Sequence, residues 1–119
     1  MYPGTQPSNR PKRMRRALLD IIRWGCGRRS RFLVQGNSMY PTLFDGLSVL
    51  YHNKATIHVG DIILFHHPQK EDLVLIKRCT NVKDDLFWAE GDNPKESTDS
   101  RSFGWVPHTC YIGTVTSVL

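Results

Sequence analysis

Two side chains in this sequence stand out for the chemistry they could share: a serine on a bend, Ser38, and a lysine closing an apolar run, Lys77. Ser38 lies in Gly36-Asn37-Ser38-Met39-Tyr40-Pro41-Thr42-Leu43, between the short run 32–35 and the turn Asp45-Gly46. Pro41 fixes its own φ and biases Tyr40 away from the α region, so the segment reads as a stiff bend with a hydroxyl near its apex. Such a bend suits a nucleophile, and it also suits an ordinary turn serine. A serine attacks a carbonyl at neutral pH only when a base takes its proton. Lys77 follows Leu73-Val74-Leu75-Ile76 directly. If its stem stays among apolar neighbours, desolvation lowers its pKa and leaves a neutral amine able to act as that base. If it reaches outward instead, it is a solvated cation at a strand end.

A third stretch, Gly91-Asp92-Asn93-Pro94-Lys95-Glu96-Ser97-Thr98-Asp99-Ser100-Arg101-Ser102-Phe103-Gly104, is too rich in short hydrogen-bonding residues to be core. It reads either as a solvated loop or as a rigid polar wall. In the wall, Ser97 would orient the Lys77 amine, and Asp99 and Arg101 would pair to fix the loop.

Other chemistries are signalled less well. His52, His58, His66, His67 and His108 carry no triad context, and Gly36-Asn37-Ser38-Met39-Tyr40 lacks the second glycine of the hydrolase nucleophile elbow. His66 and His67 are adjacent, and on a strand they point to opposite faces, so they would not hold one ion together. Asp84 and Asp85 read as a solvated hairpin tip rather than a catalytic carboxylate pair. Cys26, Cys79 and Cys110 are odd in number and widely spaced, with no C-x-x-C pair. They signal neither a zinc site nor a disulfide framework, and reduced, non-catalytic thiols are expected.

The elements that must position these residues are mostly strands. With 119 residues and 39% hydrophobic content, one domain with a modest core is expected. Strands are expected at 47–51, 62–65, 73–76, 86–90 and 111–119, with turns at Gly60-Asp61 and Asp84-Asp85. Short strands at close spacing predict an all-β barrel or sandwich. The division expected is a basic N-terminal tail and short helix, 1–31, then a catalytic domain, 32–119. Residues 1–13 hold three Pro and one Gly and read as a tail, while 14–24 read as a short helix with Arg15, Arg16 and Arg23 beside its apolar stripe. The formal charge of +5 is uneven: residues 1–31 carry nine basic side chains against Asp20 alone, and 32–119 carry seven basic against ten acidic. The helix would dock on the body, lie on an anionic membrane surface or touch nucleic acid. Nothing resembles a nucleic-acid module, so nucleic acid is not expected as a partner. The run 17–24 is broken by Asp20 and Arg23 and falls short of the roughly 20 apolar residues of a membrane span.

The three stretches, in order, resemble the type I signal peptidases, serine proteases that use a Ser/Lys dyad. Residues 36–43 are similar to the nucleophile box, Val59-Gly60-Asp61-Ile62-Ile63 to the structural box after it, Ile76-Lys77-Arg78 to the base box, and 91–104 to the last box. The resemblance covers 32–119. It implies Ser38 as nucleophile, Lys77 as general base, Ser97 as the hydroxyl orienting Lys77, and Asp99 with Arg101 as a supporting ion pair. It places Gly36 and Asn37 at the oxyanion turn and Met39 and Pro41 on the substrate-binding side. It implies no metal and no cofactor, and a precursor protein bound in extended form. The chain departs from the family pattern in three ways. No membrane-spanning helix precedes Ser38, only twelve residues separate Arg78 from Gly91, and Gly36 stands where some members have an oxyanion-binding serine. Small members with a similar last box are the nickel-type superoxide dismutase maturation proteases. The expectation is therefore a cytoplasmic endopeptidase trimming a dismutase precursor. The alternatives are a signal peptidase held peripherally at the membrane through residues 10–24, and a self-cleaving or non-enzymatic regulator of the same fold.

Overall fold

A computed structural model describes residues 29–119. The helix expected at 14–24 and its membrane contact lie outside the described residues. Seven strands form one antiparallel sheet: β1 Ser30–Leu33, β2 Ser48–His52, β3 Ile62–His67, β4 Lys70–Lys83, β5 Leu86–Glu90, β6 Val106–Pro107 and β7 Tyr111–Val118. Their order is β1-β2-β7-β3-β4-β5-β6. Helix is minimal among the described residues, with one four-residue turn, α1 (Ser100–Phe103), and 3-10 turns at Pro94–Glu96 and His108–Cys110. The mostly-β expectation holds.

Successive side chains on a strand point to opposite faces, and this sheet is covered on both. On β3, Ile63 and Phe65 join Ile57, Cys79, Phe87, Ala89, Val106 and Tyr111 in one core. The residue between them, Leu64, joins Val34, Met39, Leu43, Val49 and Ile76 in the other. Phe65 and Phe87 meet edge to face, 5.2 Å between ring centres. Burying each such side chain stabilises the fold by about 1.5–3 kcal/mol. With partners on both faces, β3 reads as a continuous apolar run rather than an alternating one.

The largest difference from expectation is β4. The sequence suggests a short strand ending at Lys77, but β4 runs fourteen residues, Lys70–Lys83. It exchanges partners along its length: Lys70 to Arg78 pair with β3, and Arg78 to Lys83 pair with β5. Backbone pairing continues through the polar residues because a neighbouring strand is present on one side or the other. Lys77 is therefore mid-strand, opposite Ile63, and cannot fray outward as a terminal lysine can. Beyond it, β4 and β5 turn at Asp84, which takes a left-handed φ of 52°.

Candidate active site

The bend carrying Ser38 is built by its flanks. After β1, Val34 N–H donates to Leu47 O at 2.8 Å, and Gly46 N–H returns a bond to Val34 O at 2.9 Å. Inside that loop, Asp45 accepts from Gly36 N–H at 2.7 Å, and Asn37 Oδ1 accepts from Asp45 N–H at 3.1 Å. Gly36 has φ near +80°, a conformation that favours glycine over residues with a Cβ. Met39 and Leu43, 1% and 2% exposed, drive the bend into the core like two pegs. Met39 was expected on the substrate-binding side. It is core instead, with its sulfur 3.5 Å from Asp92 N, because the bend needs an apolar anchor directly after Ser38. Among the side chains this bend offers to solvent are Asn37, Tyr40, Pro41, Thr42, Phe44 and Asp45. Ser38 itself is half-buried.

Lys77 is only 4% exposed. Burial pulls its pKa below the ordinary lysine value; Asp99 works against that shift, and Arg101 reinforces it. Asp99, 1% exposed, is the hub of the polar wall. It caps α1 through Arg101 N–H at 3.0 Å and accepts Gly91 N–H at 2.8 Å. It also takes the Ser97 hydroxyl at 2.6 Å and the Arg101 guanidinium at 2.6 and 3.0 Å. Burial alone would raise its pKa. The hydrogen bonds from Arg101, Ser97 and the Gly91 N–H outweigh burial and hold the carboxyl well below the usual range. The expected Asp99–Arg101 pair is present. Ser97 spends its proton on Asp99, which leaves its oxygen lone pairs free for an amine donor.

The wall meets the bend at Gly91, which follows β5 directly. A Cβ on Gly91 would run into Ser97 Oγ and, at 2.7 Å, into the Ser38 carbonyl. Asn93 N–H donates to Ser38 O at 2.8 Å, and Asn93 Nδ2 to Asn37 O at 3.0 Å. Thr42 donates to Asp92 Oδ2 at 2.6 Å, and Arg78 grips Asp92 with two bonds of 2.9 and 2.8 Å while its third arm reaches Gly60 O. Hydrogen bonding to Arg78 lowers the Asp92 pKa against the opposing effect of burial. Residues 36–43, Arg78 and 91–101, far apart in sequence, thus meet at one junction, and Lys77 lies near enough to the Asp99 and Arg101 charges to feel both. Among the described residues, the Ser38 hydroxyl and the Lys77 amine form no hydrogen bond, so neither group is engaged by a structural partner there.

Sequence reasoning missed the roles of Asp92, Asn93, Thr42 and Arg78. The one available signal was Arg78 following Lys77. Adjacent strand residues face opposite sides, so an arginine there reaches what the lysine does not.

The histidines do not compete. His66 bonds Glu71 O, and the buried His67 accepts Gln69 N–H and lies against Phe103. Burial first, and Lys70 second, lower the His67 pKa. His58 pairs loosely with Asp61, His108 stacks on Tyr111 and His52 Nδ1 is buried with no hydrogen-bond partner among the described residues, so none of the five hydrogen-bonds Ser38 there. Cys79 and Cys110 are free thiols whose pKa values burial raises, the opposite of an activated nucleophile. No cluster of three metal-ligating side chains occurs among the described residues.

A model of the family described as signal peptidase, peptidase S26, matches residues 28–85 and 76–119. The chain is 31% identical to a mitochondrial inner membrane protease subunit 1 of Xenopus tropicalis, over 79% of this chain and 75% of the relative. It is 30% identical to a mitochondrial ATP-independent inner membrane protease subunit 1a of Arabidopsis thaliana, over 67% of this chain and 64% of that one. A small sheet protein matched in this way along its described length is a serine-type endopeptidase. The chain belongs to the signal peptidase family, peptidase S26.

Proposed function

We propose that this protein removes an N-terminal extension from a precursor protein, with Ser38 as nucleophile and Lys77 as base. Ser38 Oγ attacks the scissile carbonyl and passes its proton to the neutral Lys77 amine. The oxyanion is met by the Ser38 N–H. Lys77 then protonates the leaving amine, an ester on Ser38 remains, and water activated by Lys77 hydrolyses it. Ser97, its own proton held by Asp99, is the hydroxyl that would accept from the Lys77 amine during turnover and aim the nitrogen lone pair at Ser38. The observation that carries this reading is the desolvated lysine beside the polar wall that is bonded to the Ser38 bend.

The test is cleavage of a precursor by the purified protein. Ser38→Ala and Lys77→Ala should each abolish cleavage with the fold retained, since members of such a unit each carry nearly the whole effect. Ser97→Ala should lower turnover without erasing it. Substantial cleavage by either of the first two variants rejects the dyad.

The nickel-type dismutase precursor, processed in the cytoplasm, is supported by the 91–104 resemblance alone. A second reading is favoured by the relatives' names, which are those of inner membrane proteases: a membrane-associated type I signal peptidase cleaving signal peptides, held peripherally through residues 10–24. No helix among the described residues is long and apolar enough to cross a membrane. Fractionation separates the two, because a salt-resistant membrane pool supports the second and a soluble pool the first.

A further inference from the structure

Asn93 carries two bonds whose placement is unusual. It is the N-cap of the 3-10 turn Pro94–Glu96, the position where an asparagine side chain normally accepts a bond from its own helix. Here it makes no such cap. The carboxamide reaches across to the bend and donates to Asn37 O at 3.0 Å, while the Asn93 backbone N–H donates to the next carbonyl, Ser38 O, at 2.8 Å. One residue therefore holds two consecutive carbonyls of the nucleophile bend.

The Asn37 carbonyl and the Ser38 N–H belong to the same planar, trans peptide unit and point in opposite directions. A donor fixed on one end sets the direction of the other. It also polarises the unit, which makes the N–H a stronger donor. Among the described residues, that Ser38 N–H is spent on no acceptor, and the oxygen of the tetrahedral intermediate needs such a donor. The peptide is further constrained from the other side, where Asn37 Oδ1 is tied to Asp45 N–H.

We infer that the Asn93 side chain is a positioning residue for the oxyanion hole: it orients and polarises the peptide that presents the Ser38 N–H. The inference rests on Ser38 being the nucleophile. Asn93 does not touch substrate, and Gly36, which has no side chain to add a donor, makes the direction of this one N–H more consequential.

The experiment compares wild type, Asn93→Ala, Asn93→Asp and Ser38→Ala on an internally quenched peptide with Ala-Leu-Ala before the scissile bond. Both Asn93 variants keep the backbone bond to Ser38 O. Loss of a direct oxyanion donor lowers kcat about 10²–10³-fold, so loss of the group that orients one should lower it about 10- to 100-fold. KM should stay within about twofold, and Asn93→Asp should be the worse variant because a carboxylate faces a carbonyl. An Ala-Leu-Ala aldehyde, which forms a tetrahedral adduct with an oxyanion, should lose affinity in parallel with kcat, while the cleaved product peptide should bind unchanged. An unchanged kcat, or equal losses for aldehyde and product, overturns the positioning role. Wild-type cleavage by Ser38→Ala overturns the underlying dyad instead, so the two failures are distinguishable.

Discussion

Asp99→Asn tests the polar wall most severely, because the substitution preserves shape while removing the charge and replacing one acceptor oxygen with a donor. Five hydrogen bonds end on the Asp99 carboxylate. Oδ2 takes Gly91 N–H, Ser97 Oγ and Arg101 Nη2, and Oδ1 takes Arg101 N–H and Nε. An amide has one oxygen. If its NH2 occupies the Oδ1 position, two donors face a donor; if it occupies Oδ2, three do. The first orientation is the cheaper and loses two charge-assisted bonds, about 1.5 kcal/mol each. Arg101 is 40% exposed and recovers part of its loss in water, which discounts the total to about 2–3 kcal/mol. At about 4–8 °C per kcal/mol for a domain this size, Tm should fall by roughly 10–20 °C.

The pH dependence follows from the same carboxylate. Its folded pKa is depressed below the unfolded value, so its stabilisation is present above about pH 4 and disappears as pH falls further. The gap between wild type and variant should therefore be constant from pH 7 to pH 5 and narrow below pH 4. Urea denaturation followed by Trp fluorescence measures it. A gap under about 1 kcal/mol at pH 7, or one that does not narrow on acidification, would refute the reasoning.

Lys77→Met should abolish cleavage yet stabilise the fold by about 1–3 kcal/mol near neutral pH, by removing a desolvated amine. Because the folded lysine pKa is lowered, wild-type stability rises with pH up to the unfolded value of about 10.4, and the advantage of Lys77→Met should shrink over that window. Denaturation at pH 7 and pH 10 checks both signs, and a destabilised variant at pH 7 contradicts the burial of a costly amine. Gly91→Ala should cost about 1–3 kcal/mol and lower kcat, since its methyl displaces Ser97 or the Ser38 carbonyl. Thermal melts and cleavage rates at wild-type level would show that the junction is loosely packed.

The β-rich fold was legible because strand runs such as Leu86–Glu90 and Tyr111–Val118 stand between turn residues. The extent of β4 was not, because pairing through Lys77 and Arg78 depends on β3 and β5 lying alongside, which residue types do not announce. The Asp99–Arg101 pair was legible because two residues apart in a loop can reach each other. The Thr42–Asp92–Arg78 and Asn93–Asn37 links span 14 to 56 positions, and only folding brings such ends together. Met39 shows the opposite limit. Its neighbourhood to Ser38 suggested substrate contact, but a strand-to-bend segment alternates inward and outward, and the inward residue became core.

The most direct measurement of the Ser/Lys assignment is the acyl-enzyme itself. Protein mixed with excess substrate peptide is quenched in acid during turnover, digested and mapped by mass spectrometry. The expected result is the N-terminal half of the substrate esterified to the peptide containing Ser38, absent from Ser38→Ala and from Lys77→Ala. An adduct on any other residue, or full turnover by Lys77→Ala, would contradict it.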